Sequence, residues 1–153
     1  MNCSPDDYIK FKRSRFSTRL PTDRMYSPSH YWMRETESGS GIWHVGFTKF
    51  ATRMLGDLVE FDFEVKPDAV VQAGQVIGWI EAFKAVTDIY CVAAGTFLGT
   101  NKALDDDLEL VQSDLYDKGW LYAVQCDPDE TWMDVKAYSE VLGRTIDKMI
   151  EEE

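Results

Sequence analysis

A mainly β domain closed by a C-terminal helix is the fold this chain predicts, and three observations carry that reading. Two β-rich runs, residues 75–80 and 86–92, are separated by a connection short enough for a hairpin, residues 82–85. Residues 57–64 alternate apolar with acidic side chains, the two-residue period of a strand with one wet face. From Asp129 onward, Val135, Tyr138, Leu142, Ile146 and Met149 recur at three- and four-residue steps and lay one apolar stripe along a helix.

The elements follow in order. Residues 1–29 are polar and carry Pro5, Pro21 and Pro28, which predicts an irregular N-terminal arm ahead of a body that starts near His30. Residues 42–48 are β-branched and aromatic and read as a strand. Thr48 suits the start of a short helix over residues 49–55, because its hydroxyl accepts from a free first-turn amide. Gly56 ends that helix, since glycine tolerates the left-handed turn. A turn at Ala73-Gly74 leads into the hairpin, and Gly95 marks the turn before residues 96–99. The acidic run 105–109 reads as a solvated loop, for the spacing and glycine of an EF-hand calcium loop are absent. Residues 119–125 form the last strand. The acidic end at residues 151–153 opposes the helix dipole and should fray. The expected division is an arm over 1–29, a β body over 30–128 and a packed helix over 129–153.

Composition narrows the function. The chain has 153 residues, 44% hydrophobic and 13% aromatic, enough for one domain with a real core. A net charge of −11 argues against a protein that tracks nucleic-acid phosphates. The charge is uneven: residues 1–30 carry six basic side chains against three acidic ones, a basic arm on an acidic body. Cys3, Cys91 and Cys126 are an odd number without metal-ligand spacing, which fits a reducing compartment. No apolar run reaches the length of a signal-peptide core or a membrane span, so a cytoplasmic protein is expected. His30 and His44 are the only imidazoles and sit in no metal or nucleophile motif, so both read as structural. What remains is Lys84, a lone lysine at the hairpin tip. A solvated amine held rigidly on a turn suits enzymatic acylation and so carriage of a tethered group between enzymes, while the pattern alone is also that of an ordinary surface lysine.

Ordered blocks give this reading a family. His30-Tyr31-Trp32-Met33-Arg34, Val45-Gly46-Phe47-Thr48 with Phe50-Ala51, Leu55-Gly56-Asp57-Leu58-Val59, Gly74, Glu81-Ala82-Phe83-Lys84-Ala85, Gly95, Asn101-Lys102-Ala103-Leu104 and Gly119-Trp120 together resemble the glycine cleavage system H protein family of lipoyl carriers. The resemblance implies a flattened barrel or sandwich of two small antiparallel sheets, of the lipoyl/biotinyl-carrier type. It also implies lipoic acid in amide linkage to Lys84, with Glu81 recognised by the lipoylating enzyme or simply keeping the hairpin soluble. The implied partners are a lipoate ligase or lipoyl synthesis enzymes, glycine decarboxylase, aminomethyltransferase and dihydrolipoyl dehydrogenase. The chain would carry an aminomethyl group among them as a component and not itself an enzyme, with no nucleic acid and no membrane involved.

Departures keep alternatives open. The family's Glu-Ser-Val-Lys-Ala is here Glu81-Ala82-Phe83-Lys84-Ala85, Val92 replaces a proline, and Leu115-Tyr116-Asp117 stands for Pro-Tyr-Gly. Such changes, with the long arm, also suit the lipoate-binding paralogues of sulfur oxidation, in which a heterodisulfide-reductase-like complex is the partner and sulfur the cargo. Cys91 and Cys126 fit that branch, although buried structural cysteines are the simpler account. Glu81, Ala82 and Lys84 match the biotin-acceptor pattern Glu-Ala-Met-Lys-Met too, but Phe83 and Ala85 replace its methionines and the surrounding blocks favour lipoate.

Overall fold

The computed structural model describes residues 7–152, so Cys3 and Pro5 lie outside the described residues. In chain order the strands and helices are β1 Tyr8–Arg13, β2 Phe16–Pro21, β3 Met25–Tyr26, β4 Tyr31–Glu35, β5 Ile42–Phe47, α1 Lys49–Leu55, β6 Leu58–Phe63, β7 Val70–Val71, β8 Val76–Ala82, β9 Val86–Tyr90, β10 Gly95–Thr100, α2 Ala103–Asp106, α3 Leu110–Ser113, β11 Tyr122–Cys126 and α4 Val135–Glu151. A six-stranded sheet runs β3-β4-β5-β11-β10-β7 and a three-stranded sheet runs β6-β8-β9, with every pairing antiparallel. This is the mainly β sandwich that the sequence predicts, with a third, two-stranded sheet, β1-β2, added to it.

Alternation decides which faces are buried. Ile80 of β8 stands opposite Phe61 of β6 and faces the main core with Ile77, Ile89, Phe97 and Val124, all at 1% exposure or less. The opposite face of β8 carries Trp79 and Glu81, paired across the sheet with Asp62 and Asp88, and with Glu60 and Val86, respectively. A strand reading of residues 57–64 therefore holds, with the acids on the wet face.

The arm differs from expectation. Instead of irregular chain, residues 8–21 form the β1-β2 hairpin, in full register from Tyr8↔Pro21 to Arg13↔Phe16. The prolines do not prevent this, because Pro21 sits at the end of an edge strand, where its missing N–H costs no ladder bond. Phe16 and Leu20 join Tyr26, Trp32, Phe50, Tyr138, Leu142 and Ile146 in a second core between the hairpin and α4. The basic arm meets α4 there through Arg13 and Asp147 at 3.5 Å. The acidic run 105–109 also differs: the one-turn helix α2 takes in Asp105 and Asp106 and a second, α3, follows the run, with Leu104 and Val111 buried beneath them.

Candidate functional site

The tip between β8 and β9 is held from outside. Two-residue hairpin connections usually rely on residues with positive φ, yet none of residues 82–85 has one. Ala82 N–H donates to the Ala85 carbonyl at 2.8 Å across the tip. Phe83 N–H donates to the Asp57 carbonyl at 2.8 Å, and Lys84 N–H to the Leu55 carbonyl at 2.9 Å. The Leu55 carbonyl belongs to the last turn of α1, whose C-terminal carbonyls lack intrahelical partners. The end of α1 and the start of β6 thus act as a bracket for the hairpin, at about 1 kcal/mol net for each bond.

That bracket exists because of local sequence. Thr48 caps α1 by accepting from Ala51 N–H, and Gly56 ends it at φ +78°, its N–H bonded to the Thr52 carbonyl. Gln112 of α3 secures the corner further by donating to the Gly56 carbonyl at 2.9 Å. Gly56 has a second role, since a Cβ there would lie 3.1 Å from Lys84 Cγ. The Lys84 stem lies along this bare backbone, and its Nζ donates to the Arg53 carbonyl at 3.2 Å. Lys84 is exposed, and neighbouring Phe83 keeps 84% of its surface in solvent.

Glu81 lies on the wet face of β8, directly across from Glu60 on β6. Like charges directly opposite on a sheet are unfavourable. With Asp62 and Asp88 in the next row, four carboxylates cover the outer face near Lys84.

The remaining titratable residues of interest are structural. His30 Nδ1 bonds the Tyr138 hydroxyl at 2.8 Å, that hydroxyl bonds Thr48 Oγ1 at 3.0 Å, and burial lowers the His30 pKa to about 4. His44 stacks on Trp120 with ring centroids 3.8 Å apart; burial, then the nearby Arg34 charge, lower its pKa to about 4. Cys91 is buried at the far end of β9 from Lys84, where its thiol donates to the Ala93 carbonyl and burial raises its pKa. Cys126 is pushed up to about 12, chiefly by burial. Neither thiol is a ready nucleophile at neutral pH.

A family model described as Glycine cleavage H-protein matches residues 24–145. The chain belongs to the glycine cleavage H-protein family. A glycine cleavage system H protein of Shewanella sp. (strain W3-18-1) is 37% identical over 131 residues, covering 86% of this chain and 98% of the relative. That of Corynebacterium jeikeium (strain K411) is 36% identical over 122 residues, covering 79% and 95%. The crystal structure of a glycine cleavage system H protein from Mycobacterium marinum superposes with a TM-score of 0.72 at 31% identity, covering 81% of this chain and 99% of that one.

Within this family frame, the sequence located the hairpin, Lys84 and Glu81, and the structure brings Lys84 and Glu81 onto one hairpin. It missed the carbonyls of Arg53, Leu55 and Asp57, and Gln112. Backbone acceptors carry no side-chain signature; the Leu55-Gly56-Asp57 block was the only trace of them. Among the described residues, no helix is long and apolar enough to cross a membrane.

Proposed function

We propose that Lys84 is the lipoyl attachment residue and that the chain is a lipoyl carrier of the glycine cleavage H type, working in the cytoplasm between partner enzymes. The observation that carries this is the bracketed tip: an exposed amine on a backbone tied to the Leu55 and Asp57 carbonyls. The residues suit the group. Gly56 leaves room for the stem, and acylation of Nζ keeps one N–H for the Arg53 carbonyl while removing the charge. When bound, lipoate supplies a disulfide that an incoming nucleophile opens and thiol-disulfide exchange restores. The protein's part is to present the arm, hold its root still and raise its effective concentration at each partner. Glu81, with Glu60, Asp62 and Asp88, supplies the anionic surface by which the lipoylating enzyme and the later partners orient on the tip.

The test is reconstitution of the lipoylated chain with glycine decarboxylase, aminomethyltransferase and dihydrolipoyl dehydrogenase. Glycine-dependent exchange of carbon dioxide, absent with Lys84→Arg, is expected. Lipoylated protein that supports no exchange would rule out the glycine branch.

A second reading, a sulfur cargo handled by a heterodisulfide-reductase-like complex, has one observation in its favour. Arg13, Arg15 and Arg53 line one groove against α1, the helix whose Arg53 carbonyl accepts from Nζ, and such a cationic rim suits an anionic cargo better than an amine. A biotinyl adduct, the third possibility, is separated from lipoate by intact mass.

A further inference from the structure

The three-stranded sheet β6-β8-β9 ends at β6, which has β8 on one side and, among the described residues, no strand on the other. Along that open side runs a cleft of about 610 Å³, lined by every one of residues 59–63. Alternate side chains of a strand point to opposite faces, so a consecutive run reaches one cleft only where the cleft follows the strand's edge. The far wall comes from β10 and α2, which contribute the buried side chains of Phe97 and Leu104.

Register decides which backbone groups face the cleft. Glu64 N–H donates to the Ile77 carbonyl at 2.9 Å, Asp62 stands opposite Trp79, and Glu60 stands opposite Glu81. Bonded positions alternate along an antiparallel pair, so the backbones of Glu60, Asp62 and Glu64 turn to β8 and those of Phe61 and Phe63 turn away from it. The Phe63 N–H fits this pattern: it donates to the Asp62 carboxylate at 3.0 Å, a side chain standing where the carbonyl of a further strand would be. The side chains alternate as well, Phe61 and Phe63 half-buried, Glu60 and Asp62 exposed.

Charge restricts what can pair there. Four carboxylates, those of Glu60, Asp62, Asp105 and Asp106, line the cleft against the single ammonium of Lys102. None of the four has a salt bridge among the described residues. A second copy of the chain would set its own acids against them, which like-charge repulsion opposes. A basic extended segment meets the opposite sign.

We propose that the open edge of β6 docks an extended segment of a partner protein in which basic and apolar side chains alternate, added to the sheet as a further strand. Its backbone bonds the outward groups of Phe61 and Phe63, its apolar side chains cover their rings, and its cations lie over Glu60 and Asp62. The edge leads to the tip. β6 begins at Leu58, opposite Ala82, and the Asp57 carbonyl just before it holds the Phe83 N–H. A segment seated on β6 lies about 10 Å, two strand spacings, from β8, and so brings its own protein beside Lys84. The site does not depend on what Lys84 carries.

The experiment uses the full-length chain and a blocked peptide of strictly alternating lysine and valine, with the glutamate and valine peptide of equal length as control. Backbone amide exchange is followed residue by residue by NMR as each peptide is raised to about 1 mM, a concentration that populates weak complexes. The lysine peptide is expected to slow exchange at Phe61 and Phe63 severalfold and to leave Asp62, whose backbone is turned to β8, unchanged. The glutamate peptide should leave all three as they are. In the double variant Glu60→Lys, Asp105→Lys, at two exposed positions, the lysine peptide should lose its effect and the glutamate peptide gain one, with native exchange in β4 and β5 showing that the variant is folded. No slowing by the lysine peptide, equal slowing by both peptides, or an unchanged response in the folded variant would overturn the inference. Each of these results leaves the attachment reading standing, because none of the measurements needs Lys84 to be modified.

Discussion

Gly56 shows how one residue serves both chain geometry and site. Its φ of +78° ends α1, and its missing side chain makes room for the Lys84 stem. Gly56→Ala is expected to cost about 1 kcal/mol or more in urea unfolding, because an L side chain is strained there. It should also slow acylation of Lys84 by displacing the stem. The histidines make a separate, pH-dependent contribution. Both are held near a pKa of about 4 against the usual 6.5, so the unfolded chain binds more protons between those values. The stability that comes from burying them neutral is fully present above about pH 6.5 and is lost as the pH falls toward about 4. Urea midpoints at pH 7 and pH 5 should therefore differ less in His30→Gln than in the native chain; an unchanged difference would show that His30 is not held neutral.

Among elements, α1 is the pivot. Its C-terminus brackets the hairpin, and its N-cap Thr48 is tied through the Tyr138 hydroxyl to α4 and His30. Tyr138→Phe keeps the ring, stacked on Tyr26 at 4.8 Å, but leaves His30 Nδ1 and Thr48 Oγ1 without this partner. A loss of about 1–3 kcal/mol is expected, measured by thermal or urea unfolding. This network also explains what the sequence could and could not reveal. Thr48, α1 and Gly56 lie within one short stretch, so local capping rules found them. The β1-β2 hairpin is stabilised by α4, more than a hundred positions away, through a shared core and the Arg13–Asp147 pair. Prolines and polar composition dominate any local reading of the arm, whereas burial of Phe16 and Leu20 against α4 is visible only once both ends of the chain meet.

For the whole molecule, charge is arranged around the tip: carboxylates on the outer face of the three-stranded sheet, guanidiniums across the groove. Partners that approach the acidic face should associate more slowly as salt rises, since screening at about 0.1 M already confines such attraction to about 10 Å. Stopped-flow association of the carrier with a lipoylating enzyme at low and high ionic strength measures this, and a salt-independent rate would remove the role given to that face. The family blocks made the body and the hairpin that holds Lys84 legible because they lie along its strands and turns. The groove was not legible, because its walls come from three distant elements and its arginines look like ordinary surface charge in the sequence.

Presentation of Lys84 for acylation at the bracketed tip is read from the intact mass of the full-length chain after incubation with lipoate ligase, lipoate and ATP. A single lipoyl addition in the native chain, absent from Lys84→Arg, is the expected result. Native protein that stays unmodified, or a Lys84→Arg variant that still gains the group, would contradict it.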